Sequence, residues 1–339
     1  MGLSDNLTDW MGDVNREAIK RGIKEVRIND LCIPGTHDSG TAFVKTKIEK
    51  IVNAVRCQEK DIAEQLNLGI RYLDIRVKYS EESDEFYIVH DGPFDAADCD
   101  CCMGDGSRLT LPLVMGICAG FLAAHPGECI IMSMKMAKST REYGPALAEY
   151  LTAAYGNLLL GSEAPRTIEG WFEYLEYPKL QDAAGKIILL RRFDADQQLG
   201  YDYTGWGSVG ADSEGCFYLP SSSPNLNYYA LIQDMFSFGV TTGVDVIVKE
   251  KVGYYTNTLK KYQSECGDML KYSPMLLINF LSCTQLHSIH KLADNINSYV
   301  EKNCTDRALS GVTVMDFLSE RLTKVIIDGN RYLFQKESM

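Results

Sequence analysis

No run of about 18 consecutive apolar residues occurs in this 339-residue chain, so no segment reads as a membrane-spanning helix. Basic residues are the minority charge: 34 Lys and Arg against 46 Asp and Glu leave a formal net charge of −12. That balance offers no broad face to neutralise nucleic-acid phosphates, and it repels an anionic membrane, so any lipid contact has to be local. The opening residues MGLSDNLTDW lack the basic and apolar regions of a signal peptide, and Asn6 stands where a myristoylation signal after Gly2 needs Ser or Thr. The chain as written therefore reads as soluble and cytoplasmic, or as secreted with its leader removed. Internal repeats, linkers and low-complexity blocks are missing too, which points to one domain. Only five histidines are present.

Cysteine is not scarce, but its eleven copies are an odd number spread along the chain, which reads as buried thiols and not as a disulfide framework. In Cys99-Asp100-Cys101-Cys102 three thiols share an Asp- and Gly-rich stretch. No second pair or histidine follows at zinc-like spacing, so the stretch reads as a solvent loop with at most a local disulfide.

With 45% hydrophobic and 24% charged residues the composition is that of an ordinary globular protein, and the apolar residues recur in runs of strand length. Strands are expected near Val26–Ile33, Ile70–Val77, Phe86–His90, Cys129–Lys135, Lys186–Arg192, Ala230–Phe236, Met275–Leu281 and Gly311–Asp316. Helices are expected between several of them, at Glu59–Leu68, Leu109–Ala124, Pro145–Tyr155, Val246–Cys266 and His287–Asn303. The economical reading is α/β, a single distorted (β/α)8 TIM barrel over residues 26–328. Residues 1–25 form a helical lead-in and residues 329–339 a peripheral tail. Between Phe193 and Tyr229 no clear helix is legible, so irregularity is expected there.

The polar residues of these runs form a pattern. His37 follows the first, Asp74 and Arg76 lie in the second, His90 ends the third and Lys135 the fourth. Arg192 ends the fifth, Asp234 lies in the sixth and Asp316 ends the eighth. In a parallel barrel the C-terminal strand ends converge on one mouth, where active sites are built. Two histidines with carboxylates suit a reaction that removes one proton and delivers another near neutral pH. Two arginines and a lysine suit a phosphate that gains charge as a pentacoordinate centre forms. The set suggests cleavage of a phosphodiester by base, acid and cationic clamp, with no metal or cofactor required.

At this point the chain resembles the bacterial-type phosphatidylinositol-specific phospholipases C, the X-domain family, through most of its length. The motifs are IPGTHDSGT at 33–41, Asp74-Ile75-Arg76, Val89-His90-Asp91-Gly92-Pro93, Ile130 to Lys135 and Lys186 to Arg192. Weaker echoes are Gln233-Asp234, Ile278-Asn279-Phe280 and Val314-Met315-Asp316-Phe317. The resemblance implies a distorted TIM barrel that cleaves phosphatidylinositol to diacylglycerol and a cyclic inositol phosphate. It implies that His37 takes the proton of the inositol 2-hydroxyl, Asp316 orients His37, Arg76 clamps the phosphate, and His90 with Asp38 protonates the departing oxygen. Lys135, Arg192 and Asp234 would hold inositol hydroxyls, with Phe236 standing where the family commonly has a stacking tyrosine. Glycosylphosphatidylinositol anchors are a further implied substrate.

Two departures from the family pattern matter. Glycine and proline normally follow the acid histidine at once, whereas Asp91 intervenes here, so either His90 or Asp91 is the general acid. Eukaryotic relatives hold calcium near the second strand, where this chain has Arg76, so calcium-independent activity is expected. Simpler readings stand beside these. Asp74 and Arg76 share a strand face and can form a structural ion pair, and Lys135, Arg192 and Asp234 can be ordinary strand-end charges. His125 reads as a helix-end residue, and His287 with His290 as a solvated helix face. Ile48, Ile51, Val52 and Val55, flanked by Lys45, Lys47, Lys50 and Arg56, read as a short interfacial helix for peripheral membrane contact, or as a helix packed on the barrel. Other readings of the whole are a barrel phosphodiesterase for another head group, such as glycerophosphodiesters, and an inositol-lipid binding protein with impaired catalysis.

Overall fold

The computed structural model describes residues 2–23, 25–46, 52–91, 98–160, 166–168, 172–174, 177–196, 198–206, 215–219, 230–239, 241–269, 275–284, 288–303 and 311–334. In chain order its first elements are α1 (Trp10–Lys20), β1 (Cys32–Thr36), β2 (Phe43–Lys45), α2 (Val52–Val55), α3 (Ile62–Asn67), β3 (Tyr72–Ser80), β4 (Glu85–His90) and β5 (Cys99–Cys102). Then come α4 (Leu111–Ala124), β6 (Ile130–Met136), α5 (Gly144–Tyr155), a ribbon of β7 (Arg166–Ile168) and β8 (Phe172–Tyr174), α6 (Leu180–Ala183), β9 (Ile187–Arg192) and β10 (Tyr201–Asp202). The last are β11 (Cys216–Leu219), β12 (Ala230–Gln233), α7 (Val244–Met269), β13 (Leu276–Phe280), α8 (Ile289–Asn303), β14 (Gly311–Met315) and α9 (Glu320–Gly329).

Strands β10, β9, β6, β3, β1, β14, β13 and β12 lie side by side, every neighbouring pair parallel, with antiparallel β11 added beyond β12. Alternate side chains decide how this sheet curls. Ile33, Tyr72, Ile131, Ile188, Leu190, Tyr201, Ile232, Ile278, Phe280, Val312 and Val314, drawn from all eight strands, meet in one buried cluster. The residues between them, such as Leu73, Ile75, Met132 and Leu189, face a different cluster shared with α3, α4 and α5. Leu231, Leu277 and Met315 face a third with α7, α8 and α9. Period-two alternation into one shared interior is what a barrel requires, and a flat sheet would give each strand its own neighbours on both faces. The helices start where their sequences say. Asp61 caps α3 by accepting from Glu64 N at 2.9 Å while Glu64 returns the bond to Asp61 N at 3.0 Å, and Thr110 caps α4 through Leu113 N.

Four expectations need correction. Phe86–His90 is strand β4, but it runs antiparallel to β3 and pairs outward with β5, so it is not a barrel stave. The parallel strand missed in sequence is β10, only two residues long inside the segment that reads as irregular. The first strand begins six residues later than expected, because Ile28–Asp30 form a 3-10 turn in which Asp30 accepts from Arg27 N at 2.8 Å. Cys99, Cys101 and Cys102 lie on buried β5 as free thiols, not in a solvent loop. Among the described residues no helix is long and apolar enough to cross a membrane.

The ends of the chain are built into the barrel's floor. Trp10 and Met11 of α1 are fully buried, and Asn330, inside the expected tail, accepts from Cys32 N at 2.8 Å and donates to Cys32 O at 2.9 Å. Beside them, buried Glu128 accepts from Gly12 N at 2.7 Å, from Met11 N at 3.3 Å and from Arg71 Nε at 2.8 Å. Removing one member of a buried pair strands the other charge, so Glu128→Ala is expected to lower unfolding free energy by about 3–5 kcal/mol. Urea denaturation checks this, and a loss below about 1 kcal/mol would contradict it.

Candidate active site

The mouth is assembled from strand ends whose neighbouring loops are locked by buried polar contacts. Within β1, Gly35 lies so close to Tyr72 that a Cβ there would approach it within 2.8 Å, which requires glycine. Asp38 adopts φ 40°, a left-handed conformation in which an aspartate is tolerated better than most residues. Ser39 Oγ accepts from Asp74 N at 2.9 Å, and Ser39 N donates to Asp74 O at 2.9 Å, so the His37 loop is held against β3. From the other side Gln58 Nε2 donates to His37 O at 2.9 Å and to Met315 O at 3.0 Å. One buried amide thus fixes the loops carrying His37 and Asp316.

His37 Nδ1 lies 2.8 Å from Asp316 Oδ1, and His37 Nε2 lies 3.4 Å from Asp38 Oδ2. His90 Nε2 lies 3.2 Å from that same Asp38 oxygen. Two rings separated by 53 positions in sequence therefore meet at one carboxylate. The β3–β4 hairpin brings His90 there: β3 overshoots the mouth to Ser80, and β4 returns antiparallel with Val77 opposite Ile88, which places His90 back beside Arg76. Arg76 completes the group, with one NH2 3.5 Å from Asp38 Oδ1 and NH1 2.9 Å from Asp91 Oδ2.

The electrostatics follow from this packing. Burial opposes charge on the His37 ring, but Asp38 and Asp316 outweigh it and hold its pKa well above the ordinary histidine range. His90 is pushed the other way, mainly by burial; the pull of Asp38 is countered by Arg76 and His37. For Asp38 burial favours the neutral acid, yet Arg76, His37, His90 and Lys135 together keep the carboxyl well below its usual range.

The remaining expected residues line the same mouth. Arg192 NH1 lies 3.6 Å from Asp74 Oδ1, and its guanidinium stacks 3.8 Å over the Trp206 ring. Trp206 Nε1 donates to Asp234 Oδ2 at 3.1 Å. Asp74 is thus Arg192's partner and Arg76 pairs with Asp38 and Asp91, so the structural Asp74–Arg76 ion pair does not form. Lys135 sits between Arg76 and Arg192, and burial with those two like charges brings its pKa down to about 8. Among the described residues it has no ion-pair partner within 4 Å. Phe236 is 40% exposed on the rim.

Residues outside the mouth behave more simply. His125 Nδ1 lies 2.9 Å from Asp9 Oδ1 at the end of α4, as a helix-end residue should. His290 lies near Glu59 and Asp294 on an exposed face, and His287 falls outside the described residues. Val55 is fully buried, which removes it from any lipid-facing surface; Val52 is half-buried, and Ile48 and Ile51 lie outside the described residues.

Sequence reading missed Cys57, Gln58, Trp206 and Lys251. Lys251 on α7 is fully buried and donates to Gln233 Oε1 at 3.0 Å and to Met235 O at 2.5 Å, on either side of Asp234. Burial lowers its pKa to about 8. A signal existed: Ile247, Lys251 and Tyr255 are spaced by four, so the lysine interrupts an apolar helix stripe.

Comparison with known proteins agrees with this geometry. A profile of the phosphatidylinositol-specific phospholipase C X domain matches residues 31–193, the segment that supplies His37, Asp74, Arg76, His90, Lys135 and Arg192. This segment is similar to that family's X domain. Staphylococcus aureus (strain Newman) 1-phosphatidylinositol phosphodiesterase is 26% identical over 329 residues, covering 90% of each chain. The Listeria monocytogenes 1-phosphatidylinositol phosphodiesterase is 26% identical over 308 residues, covering 89% of this chain and 81% of the relative. Among solved structures, the S. aureus phosphatidylinositol-specific phospholipase C superposes with a TM-score of 0.67 at 21% identity, covering 97% of this chain and 99% of the other. The Listeria enzyme superposes with a TM-score of 0.56 at 22% identity, covering 90% and 94%. The family's distorted TIM barrel is the fold described above.

Proposed function

We propose that the chain is a phosphatidylinositol-specific phospholipase C, a phosphatidylinositol diacylglycerol-lyase that works with its own side chains. The observation that carries the reading is the pair of imidazoles on Asp38 with the Arg76 guanidinium beside them. His37 Nε2 takes the proton of the inositol 2-hydroxyl as that oxygen bonds to phosphorus. The bond from phosphorus to the glycerol oxygen breaks, and His90 supplies the proton that this oxygen keeps. Diacylglycerol and inositol 1,2-cyclic phosphate result. The attack is intramolecular, so much of the rate comes from holding the hydroxyl in line with the leaving oxygen. Asp316 stabilises the imidazolium that His37 becomes, as the carboxylate of a triad does. Arg76 meets the charge that builds on the phosphate oxygens.

Lys135, Arg192 and Asp234 are the groups available for inositol hydroxyls, and Phe236 presents a phenyl face on the rim. Exposed Phe236 and Val246, at the mouth end of α7, are proposed for peripheral lipid contact in place of Val55. Anchors of the glycosylphosphatidylinositol type carry the same inositol phosphodiester and are proposed as further substrates. Asp91 is engaged by Arg76, which supports His90 as the acid. The glycerophosphodiester alternative relies on carboxylates free to hold a metal, whereas Asp38, Asp74 and Asp91 each face an arginine.

Phosphorus NMR of purified protein with phosphatidylinositol vesicles tests this. The cyclic phosphate signal is expected at the same rate with and without chelator, since the Arg76 guanidinium beside Asp38 supplies a cation for the phosphate. Release of an acyclic phosphomonoester only would overturn the lyase route, and loss of activity in chelator restored by calcium would overturn the metal-free one.

A further inference from the structure

Cys57 has no part in the reaction above, yet it sits at its centre. It follows α2, is 1% exposed and is pinned from its backbone, where its N–H donates to Thr41 Oγ1 at 3.0 Å. One ligand atom each from His37, Cys57 and Asp316 lie within 4.8 Å of one another, and so do one each from Asp38, Cys57 and His90. The sulfur is therefore common to two sets, each with one imidazole and one carboxylate. Nothing in phosphodiester cleavage calls for a thiol between the two catalytic rings.

We infer that this cluster is a binding site for a thiophilic divalent ion, Zn²⁺ or Cd²⁺, which switches the enzyme off by seizing His37. Zinc bonds to thiolate at about 2.3 Å and to imidazole or carboxylate at about 2.0–2.2 Å, so tetrahedral ligands stand roughly 3.5 Å apart. The three ligand atoms lie within 4.8 Å of one another, so each pair is within about 1.3 Å of that spacing. The soft sulfur selects against calcium and magnesium, which take oxygen ligands. Of the two sets, the one with Asp316 is favoured. Arg76 already lies 3.5 Å from Asp38, and a second cation there would be repelled. Among the described residues, the only side chain hydrogen-bonded or ion-paired to the Asp316 carboxylate is His37. The ion reaches the site from the mouth, since the His37 side chain is 23% exposed. On binding, the thiol proton leaves to solvent, the His37 nitrogen that holds the ion no longer accepts a proton, and the fourth position stays open to water.

The test needs the metal alone. Titrating the full chain with CdCl₂ is expected to raise a thiolate-to-cadmium charge-transfer band that saturates at one equivalent, and ZnCl₂ is expected to abolish cyclic phosphate production, with chelator restoring it. Cys57→Ser is expected to remove the band and to raise the zinc concentration for half inhibition by at least about tenfold. An unchanged band or unchanged inhibition in Cys57→Ser would overturn the inference. Should that variant not fold, anomalous diffraction at the zinc edge from wild-type crystals decides. A peak bonded to Cys57 Sγ and His37 supports the site, and a peak elsewhere or no peak overturns it. Binding is read without turnover, so failure here leaves the phospholipase reading standing.

Discussion

Replacing His37 by alanine is expected to lower kcat for phosphatidylinositol cleavage by about 10²–10⁴-fold, the range general base catalysis supplies. The lipid is held by Arg76 and the inositol-side residues, which the substitution leaves in place, so KM should change little. A fall in kcat/KM equal to the fall in kcat identifies an interaction made only in the transition state. The wild-type pH profile carries the same information. The base must be neutral to act, and Asp38 and Asp316 raise the His37 pKa. The acidic limb of kcat/KM should therefore lie above pH ~6.5, the ordinary histidine value, with activity lost as pH falls through it. Asp316→Asn withdraws one of those carboxylate charges and should move that limb toward lower pH. A limb that stays put would remove Asp316 from the account.

The second large effect is expected at His90. His90→Ala should cost about 10²–10⁴-fold in kcat, because the departing glycerol oxygen is a poor leaving group without a proton. Asp91→Asn should cost far less: its carboxylate braces Arg76 at 2.9 Å, and the Asp38 contact to Arg76 remains. Steady-state turnover on phosphatidylinositol in mixed micelles separates the two. If Asp91→Asn were the more damaging change, the acid would have been assigned to the wrong residue. In the free enzyme the base is biased toward its charged form and the acid toward its neutral form, the reverse of what the reaction needs. A phosphate anion arriving beside Arg76 and His90 favours the protonated His90 ring, so substrate binding corrects the bias at the acid.

The ring of site residues was legible because a parallel barrel turns strand ends into neighbours. His37, Lys135, Arg192 and Asp316 each stand at or just after the end of an apolar run, and the structure puts them at one mouth. His90 was found for an incomplete reason. Its run looks like a stave, but an antiparallel hairpin delivers it, and strand direction leaves no mark on hydrophobic alternation. Strand β10 escaped because two residues are too few to show any period. Cys57, Gln58 and Trp206 lie on connecting segments whose sequences carry no repeat, and their roles come from long-range contacts such as Gln58 to Met315, 257 positions away. The buried β5 thiols were misread because polarity in Asp98 and Asp100 masked a strand with two paired edges.

The division of labour between the two rings is tested most directly by changing the leaving group. A soluble inositol phosphodiester with a p-nitrophenyl group departs without needing a proton. On it, His90→Ala should recover to within about tenfold of wild type, while His37→Ala stays as impaired as on the lipid. Equal impairment of His90→Ala on both substrates, or rescue of His37→Ala by the better leaving group, would contradict the account.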